Sequence, residues 1–191
     1  MLRDLKERNM PSPNLCIGNG ALGFWKAIRE VYPEGEHQCY WVHKTANALD
    51  KFPKSVQPSA KSLSHDIYRA ETEKDARTAY QRFQDRYKAK YPKAVENLMK
   101  DEASLFTFYQ YPAEHWQHIR STSAIESAFA TVRLRTAKRR GQGTMAITLA
   151  MVFKLAERAE KQWRRLRGYK LIPKGINGVN FISKTEKILA T

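Results

Sequence analysis

Hydrophobic positions near the start of the chain follow a strand–helix–strand order. The apolar run at residues 15–17 stops at a Gly-Asn-Gly turn, which is typical of a buried strand. Apolar residues then recur at helical spacing over residues 22–32, and a second strand is predicted at about residues 37–42. A short amphipathic helix over residues 2–10 precedes them. This order predicts a parallel α/β unit.

Residues 44–118 show helical periodicity only. Ala76, Tyr80, Phe83 and Tyr87 recur at spacings of a helix face, and prolines separate this helix from its neighbours. We therefore predict an all-helical segment after the second strand.

Two further helices are predicted between residues 119 and 168. In the first, Ile125, Phe129 and Val132 should form one buried face. The second should begin after the cap Thr144 and continue to Leu166. Its apolar stripe favours core packing over a coiled-coil partner, and consists of Met145, Leu149, Val152, Ala156, Ala159, Trp163 and Leu166. Residues 169–191 form a weakly patterned tail, in which residues 179–182 could make an edge strand.

The composition favours a polyanionic partner. The 191 residues carry a formal net charge of +15, which suits nucleic acid first and an anionic membrane surface second. No apolar run reaches the roughly 20 residues of a membrane span, and the N-terminus has no signal-peptide core. Two cysteines cannot form a secreted disulfide framework. We expect a soluble cytoplasmic protein without a membrane partner.

One carboxylate lies close in sequence to a group of cations. Glu126 precedes the basic cluster, which consists of Arg133, Arg135, Lys138, Arg139 and Arg140. An acid beside such a cluster suits a site that holds metal-bound phosphate next to a nucleic-acid backbone. Ser123 and Glu126 also match a helix capping box, in which the glutamate only satisfies a backbone N–H. These residues alone favour the cap.

Five stretches together resemble the C-terminal part of a Mutator-type insertion-sequence transposase. They are IGNGALGFWKAI (17–28), HQCYWVHK (37–44), FPKSVQP (52–58), YPAEHWQHIRSTSAIESAFATVRLRT (111–136) and LAMVFKLAERAEKQWRRLRG (149–168). The resemblance implies a mostly helical α/β fold, namely an RNase H-like domain with an all-helical insertion before the last catalytic helix. It divides the chain into a partial RNase H-like core without its first catalytic strand (1–43), the insertion (44–118), C-terminal helices with Glu126 and the basic cluster (119–168) and a tail (169–191).

The resemblance also implies a DDE active site with two Mg²⁺ ions, which cuts DNA and joins its 3′ ends to a target. Two such ions about 4 Å apart need several carboxylates between them. Glu126, within T-S-A-I-E, matches the family's final glutamate. Asn19, within G-N-G-A-L, stands where the family has its second aspartate, and an amide supplies no charge. The first aspartate belongs to a strand upstream of this match.

A second departure concerns the cysteine and histidine after the second strand. His43 matches the family and is expected near DNA, whereas Cys39 stands one place earlier than in the family's Cys-x2-His pattern. A zinc site that joins these two residues to His37, His115 and His118 is a minor alternative, because the spacing fits no standard finger.

These features predict a transposase of the Mutator family, present as a truncated and inactive copy. Its partners would be DNA at the element ends and target, and a second copy or an intact transposase. The absence of the first strand should leave an open sheet edge and a chain of marginal stability. The main alternative is a non-catalytic basic DNA-binding fragment that modulates an intact transposase. An RNA-associated protein is a weaker alternative, since the aromatic residues fit helix core positions at least as well as RNA-stacking ones.

Overall fold

The structure is a computed structural model. The residues that this structure describes are 2–19, 22–120, 129–130, 132–134, 144–161, 163, 165–177, 179, 181–182 and 185–186. The chain forms two compact units, the first of residues 1–122 and 170–191 and the second of residues 123–169.

The first unit contains a small parallel sheet and most of the helices. Its elements are α1 (Leu2–Glu7), β1 (Leu15–Gly18), α2 (Leu22–Val31), β2 (Glu36–Cys39), α3 (Trp41–Leu49), α4 (Gln57–Arg69), α5 (Glu73–Tyr87), α6 (Pro92–Met99), α7 (Glu102–Leu105) and α8 (Trp116–Arg120). Two 3-10 turns, Thr107–Gln110 and Ala113–His115, connect α7 to α8.

The predicted strand–helix–strand unit is confirmed. Strands β1 and β2 pair in parallel, from Leu15 opposite Glu36 to Gly18 opposite Cys39. The second strand is shorter than predicted, since it ends at Cys39 and α3 begins at Trp41. Trp41 is completely buried and its Nε1 donates to the Leu105 carbonyl oxygen at 2.9 Å, so this residue anchors a helix instead of extending the strand.

The helices of the first unit share one hydrophobic core with the sheet. Cys16 of β1 and Trp25 of α2 belong to the same buried cluster as Phe83 of α5 and Phe108. The predicted helical character of this region is therefore confirmed, and so is the mostly helical α/β class. The RNase H-like assignment, the insertion and the boundaries at residues 43, 118 and 168 stay predictions.

The two edges of the parallel sheet differ. Along β2, the Thr107 hydroxyl donates to the His37 carbonyl oxygen at 2.8 Å, so the outer edge is covered. Along β1, the bonds Glu36 N to Asn14 O and Tyr40 N to Gly18 O define which peptide groups face β2. The alternation of a parallel ladder then directs the N–H and C=O groups of residues 15 and 17 away from β2. They form no hydrogen bond on that side within the described residues.

The tail of the first unit contains α10 (Ile172–Ile176) and two short strands, β3 (Phe181–Ile182) and β4 (Thr185–Glu186). These strands pair antiparallel, with Phe181 opposite Glu186. The predicted tail strand is confirmed at residues 181–182.

The second unit contains helical residues at 129–130 and 132–134, and the helix α9 (Met145–Glu160). Thr144 caps α9 as predicted, because its hydroxyl accepts a hydrogen bond from Ile147 N at 3.4 Å. The predicted continuation to Leu166 is wrong, since the helix ends at Glu160.

The predicted burial of the α9 stripe is also wrong. In its described part, the second unit leaves Met145, Leu149 and Trp163 more than half exposed, and α9 has no buried residue. In the preceding helical residues Val132 is buried while Phe129 remains 50% exposed. Periodicity identifies which side of a helix is apolar but not whether another element covers it.

Candidate functional site

The carboxyl edge of the parallel sheet brings together residues that one helix and one strand separate in the sequence. Asn19 follows β1 directly and Tyr40 follows β2 directly. Because the strands are parallel and Tyr40 N donates to Gly18 O at 2.9 Å, Asn19 and Tyr40 lie side by side at this edge. In open α/β sheets, the crevice beyond the carboxyl ends of the strands is the usual binding region.

Close packing fixes where Asn19 stands. A side chain on Gly18 would place its Cβ 3.1 Å from the Trp25 ring, so the absence of one lets α2 approach the end of β1. Asn19 itself is exposed at the start of the turn that leads into α2. The close packing at Gly18 thus fixes the end of β1, and Asn19 follows it at the surface.

His43 extends the same edge into α3. Its ring centroid lies 6.1 Å from that of Tyr40, and both side chains are half-buried. Asn19 and His43 were singled out from the sequence, and Tyr40 connects them. Tyr40 lies within the strand predicted at residues 37–42, and it stands where the family's Cys-x2-His pattern has its cysteine.

A partly buried ion pair supports the start of α3. Lys44 Nζ lies 2.5 Å from Asp101 Oδ2, and the lysine side chain is 10% exposed. Ser104 Oγ lies 3.4 Å from Cys39 Sγ. Burial raises the pKa of the Cys39 thiol, with the Ser104 hydrogen bond acting in the opposite direction. Cys39 is thus held in the protonated form, which is not the form that binds metals.

A second buried network holds the outer side of β2. The fully buried Gln38 accepts a hydrogen bond from Phe108 N at 2.8 Å and donates to Leu105 O at 3.2 Å. Trp41 donates to the same Leu105 oxygen. This network fixes the segment that leads towards α8, and α8 immediately precedes the stretch containing Glu126.

The histidines do not assemble the alternative zinc site. The His37 ring lies 4.9 Å from the Trp25 ring, and His118 Nε2 is 3.1 Å from Gln117 Nε2. Across the described ranges, no three His, Cys, Asp or Glu side chains come close enough to hold a metal ion.

Part of the predicted site lies outside the described residues. Glu126 is among these, together with four members of the basic cluster, namely Arg135, Lys138, Arg139 and Arg140. The fifth member, Arg133, is described: it is helical and exposed, and follows the buried Val132.

The donors at the sheet edge do not fit a Mg²⁺ site by themselves. Asn19 offers one neutral amide oxygen, Tyr40 a phenol and His43 an imidazole, whereas Mg²⁺ is bound in proteins mainly through carboxylates and water. The carboxylate charge that the resemblance assigns to the position of Asn19 is missing.

No described helix is both long enough and apolar enough to cross a membrane. This statement concerns only the ranges given above.

Comparisons with known proteins agree with the resemblance. The family described as "Transposase, Mutator family" matches residues 1–166. The transposase for insertion sequence element IS6120 of Mycolicibacterium smegmatis is 49% identical over 172 residues, which are 90% of this chain and 53% of that protein. The transposase for insertion sequence element IST2 of Acidithiobacillus ferrooxidans is 46% identical over 183 residues, which are 95% of this chain and 62% of that protein.

A less similar transposase also matches this chain over only part of its own length. The transposase for insertion sequence element IS905 of Lactococcus lactis is 30% identical over 139 residues, which are 73% of this chain and 35% of that protein. The chain thus spans little more than half the length of the curated relatives that it matches best among these. A family match over residues 1–166, with identities approaching one half, shows that the chain belongs to the Mutator family of transposases.

Proposed function

We propose that this chain binds DNA as part of the transposition machinery and does not cleave or join DNA by itself. The observation that carries the proposal is Asn19, an exposed amide at the carboxyl edge of the sheet, where the resemblance implies an aspartate. The sequence supplies Glu126 as the one acid that matches the family's catalytic set.

The electrostatics of metal binding support the loss of catalysis. Two divalent cations need bridging carboxylates to offset their charge, and each carboxylate replaced by an amide removes one negative charge from the set. Asn19 leaves the amide oxygen as a weak ligand, and neither Tyr40 nor His43 replaces the lost charge. We therefore derive no metal-dependent step for this chain.

The charge of the chain supports DNA binding. A net charge of +15 favours the phosphate backbone, and Arg133 offers an exposed guanidinium within the stretch that matches the family. The expected DNA contacts are Arg133 and the other members of the basic cluster, with His43 at the sheet edge. Contacts of this kind provide affinity without sequence preference.

The open edge of β1 favours a second role for the same chain. The outward peptide groups of residues 15 and 17 could pair with a strand of another chain, either a second copy or an intact transposase. Such a mixed assembly would contain an incomplete site and would reduce the activity of the intact enzyme.

A paired assay tests this proposal. The purified chain should bind a fluorescent DNA duplex with a strong loss of affinity as salt rises, and should yield no cleaved or joined product with Mg²⁺ or Mn²⁺. The slope of log affinity against log salt is negative, and each lost phosphate contact makes it shallower by about 0.9. Arg133→Gln should therefore give a shallower slope than the wild type. Arg82→Gln, on the exposed side of α5, is the matched control.

Either half of the proposal can fail separately. Robust strand transfer by the wild-type chain would refute the loss of catalysis. Absence of DNA binding at low salt would refute the DNA-binding role. To test the mixed assembly, the chain would be titrated into an active relative, and undiminished transposition at excess chain would contradict it.

A further inference from the structure

Three aromatic rings join two separate stretches of the helical segment. The Phe52 ring centroid lies 4.9 Å from that of Tyr87 and 5.0 Å from that of Tyr91. Phe52 and Tyr87 are buried, and the Tyr87 hydroxyl donates to Ser59 Oγ at 3.1 Å. Gln57 Nε2 donates to the Phe52 carbonyl oxygen at 3.2 Å. These contacts place the turn after α3 beside the turn between α5 and α6.

Five exposed lysines surround this aromatic base. We call them the lysine patch: Lys51, Lys54, Lys88, Lys90 and Lys93. Each is at most two residues in sequence from Phe52, Tyr87 or Tyr91. Since consecutive Cα atoms are about 3.8 Å apart, the lysine patch is roughly 20 Å across. A surface of that size spans about six phosphates of one DNA strand, which follow one another every ~3.4 Å along the helix axis.

Neighbouring acids do not neutralise the lysine patch. Within the described residues, none of its lysines forms an ion pair. The exposed cations Arg3 and Arg77, by contrast, pair with Glu30 and Glu73. Residues 50–54 and 85–96 together contain six cations and three acids, so this surface is positive in sum. Single exposed lysines only keep a surface soluble, whereas five around one base present a combined field to a polyanion.

Buried packing gives the lysine patch a fixed layout. The fully buried Phe83 ring lies 5.0 Å from that of Tyr87 and 6.2 Å from that of Phe52, so the base continues into the core. A lysine ammonium binds phosphate as a point charge on a flexible stem. What such binding needs from the protein is therefore a stable spacing of the backbone positions that carry the lysines.

We propose that the lysine patch binds the phosphate backbone of DNA. The lysine patch belongs to the first unit, whereas the basic cluster belongs to the second, so DNA contacts would lie on both units. This inference rests on the DNA binding proposed above and extends it to residues 51–93, where the sequence predicted no DNA contact. Phosphate contacts of this kind position a duplex without reading its sequence.

Salt titrations of DNA affinity test the lysine patch through matched changes of charge. Lys88→Gln and Lys90→Gln should each make the negative slope of log affinity against log salt shallower by about 0.9, and the double variant by about 1.8. Lys74→Gln is the control and should keep the wild-type slope, because the exposed Lys74 stands at the other end of α5, roughly 20 Å from Lys88. These exposed changes should shift the unfolding temperature by less than about 2 °C, which separates loss of a contact from loss of folding.

Acetylation of lysines with and without a DNA duplex locates the contact in the unchanged chain. Mass spectrometry of the digested chain should show that DNA protects the lysine patch several-fold more than it protects Lys74. The same measurement with an RNA of equal length distinguishes the two polyanions.

The results distinguish a failure at the lysine patch from a failure of the proposed function. DNA binding in which the lysine patch stays reactive, and in which its variants keep the slope of Lys74→Gln, would overturn the inference and leave the DNA-binding role standing. Absence of any DNA binding at low salt would refute that role and the inference with it. Protection of the lysine patch by RNA but not by DNA would overturn the assignment to DNA.

Discussion

Gln38 provides a direct test of how the sheet is held to the segment before α8. Its side chain is completely buried and accepts from Phe108 N while donating to the carbonyl oxygens of Leu105 and Cys39. Gln38→Met keeps the length of the side chain but removes both the acceptor and the donor. Leu105 O retains its hydrogen bond from Trp41, so the main loss falls on Phe108 N–H and on Cys39 O.

The size of the effect follows from these bonds. A buried polar group left without a partner costs about 1–3 kcal/mol. The orphaned Phe108 N–H and the weakened Cys39 O together should lower the free energy of unfolding by about 3 kcal/mol. For a chain of 191 residues, at about 2–4 °C per kcal/mol, the unfolding temperature should decrease by roughly 6–12 °C.

Urea denaturation and amide hydrogen exchange would measure this loss. Protection of the Phe108 amide should decrease more than that of amides in α5. Gln81→Met is the control, because the exposed Gln81 side chain donates to Asp85 on the same helix, and the change should alter the stability by less than about 0.5 kcal/mol. If Gln38→Met changes stability no more than this control, the network does not hold the segment as we argue.

Three further predictions concern separate positions. Burial and, to a smaller degree, the charge of Arg29 lower the pKa of His37 below its ordinary 6.5. The contribution of the neutral imidazole to folding stability is therefore fully present above pH 6.5 and is lost as the pH falls through the lowered pKa. The wild type should thus lose more stability between pH 7 and pH 5 in urea titrations than His37→Gln, and equal losses would contradict the assignment. Gly35→Ala should destabilise by about 1–3 kcal/mol in thermal unfolding, because its Cβ would lie 2.7 Å from a backbone oxygen, whereas Gly23→Ala meets no atom and should not destabilise. In a full-length context that supplies the first aspartate, Asn19→Asp should create a rise in unfolding temperature with Mg²⁺ that is absent with Asn19, and identical responses would argue against a ligand position.

The sequence predicted local structure where a residue's role depends on its neighbours in the chain. The order of β1, α2 and β2 followed from apolar spacing, and the Thr144 cap followed from its place before a periodic stretch. The end of β2 was misjudged, since the continuous apolar run of residues 39–42 suits a buried strand as well as the first turn of a buried helix. Only the long-range bond from Trp41 to Leu105 decides between them.

Prediction was weaker where burial depends on distant elements. The stripe of α9 has the period of a core-facing helix, yet its described residues remain exposed or half-buried. For the candidate site, Asn19 and His43 could be placed from their positions after predicted strands. The packing of Arg120 against Phe108 and Trp116 could not be predicted, because the chain brings these residues together only on folding.

The two edges of the parallel sheet differ in coverage, and this difference determines the side on which a further strand could pair. Because Thr107 and the segment after α7 cover β2, the edge of β1 is the one whose outward peptide groups bond to no described residue. A strand added there in parallel would end next to Asn19, whereas an antiparallel strand would begin there. In either orientation, one terminus of the new strand meets the place where the resemblance expects an acidic side chain. A strand that pairs with β1 would thus also place a side chain beside Asn19, so the same assembly step could extend the sheet and add a negative charge at that edge.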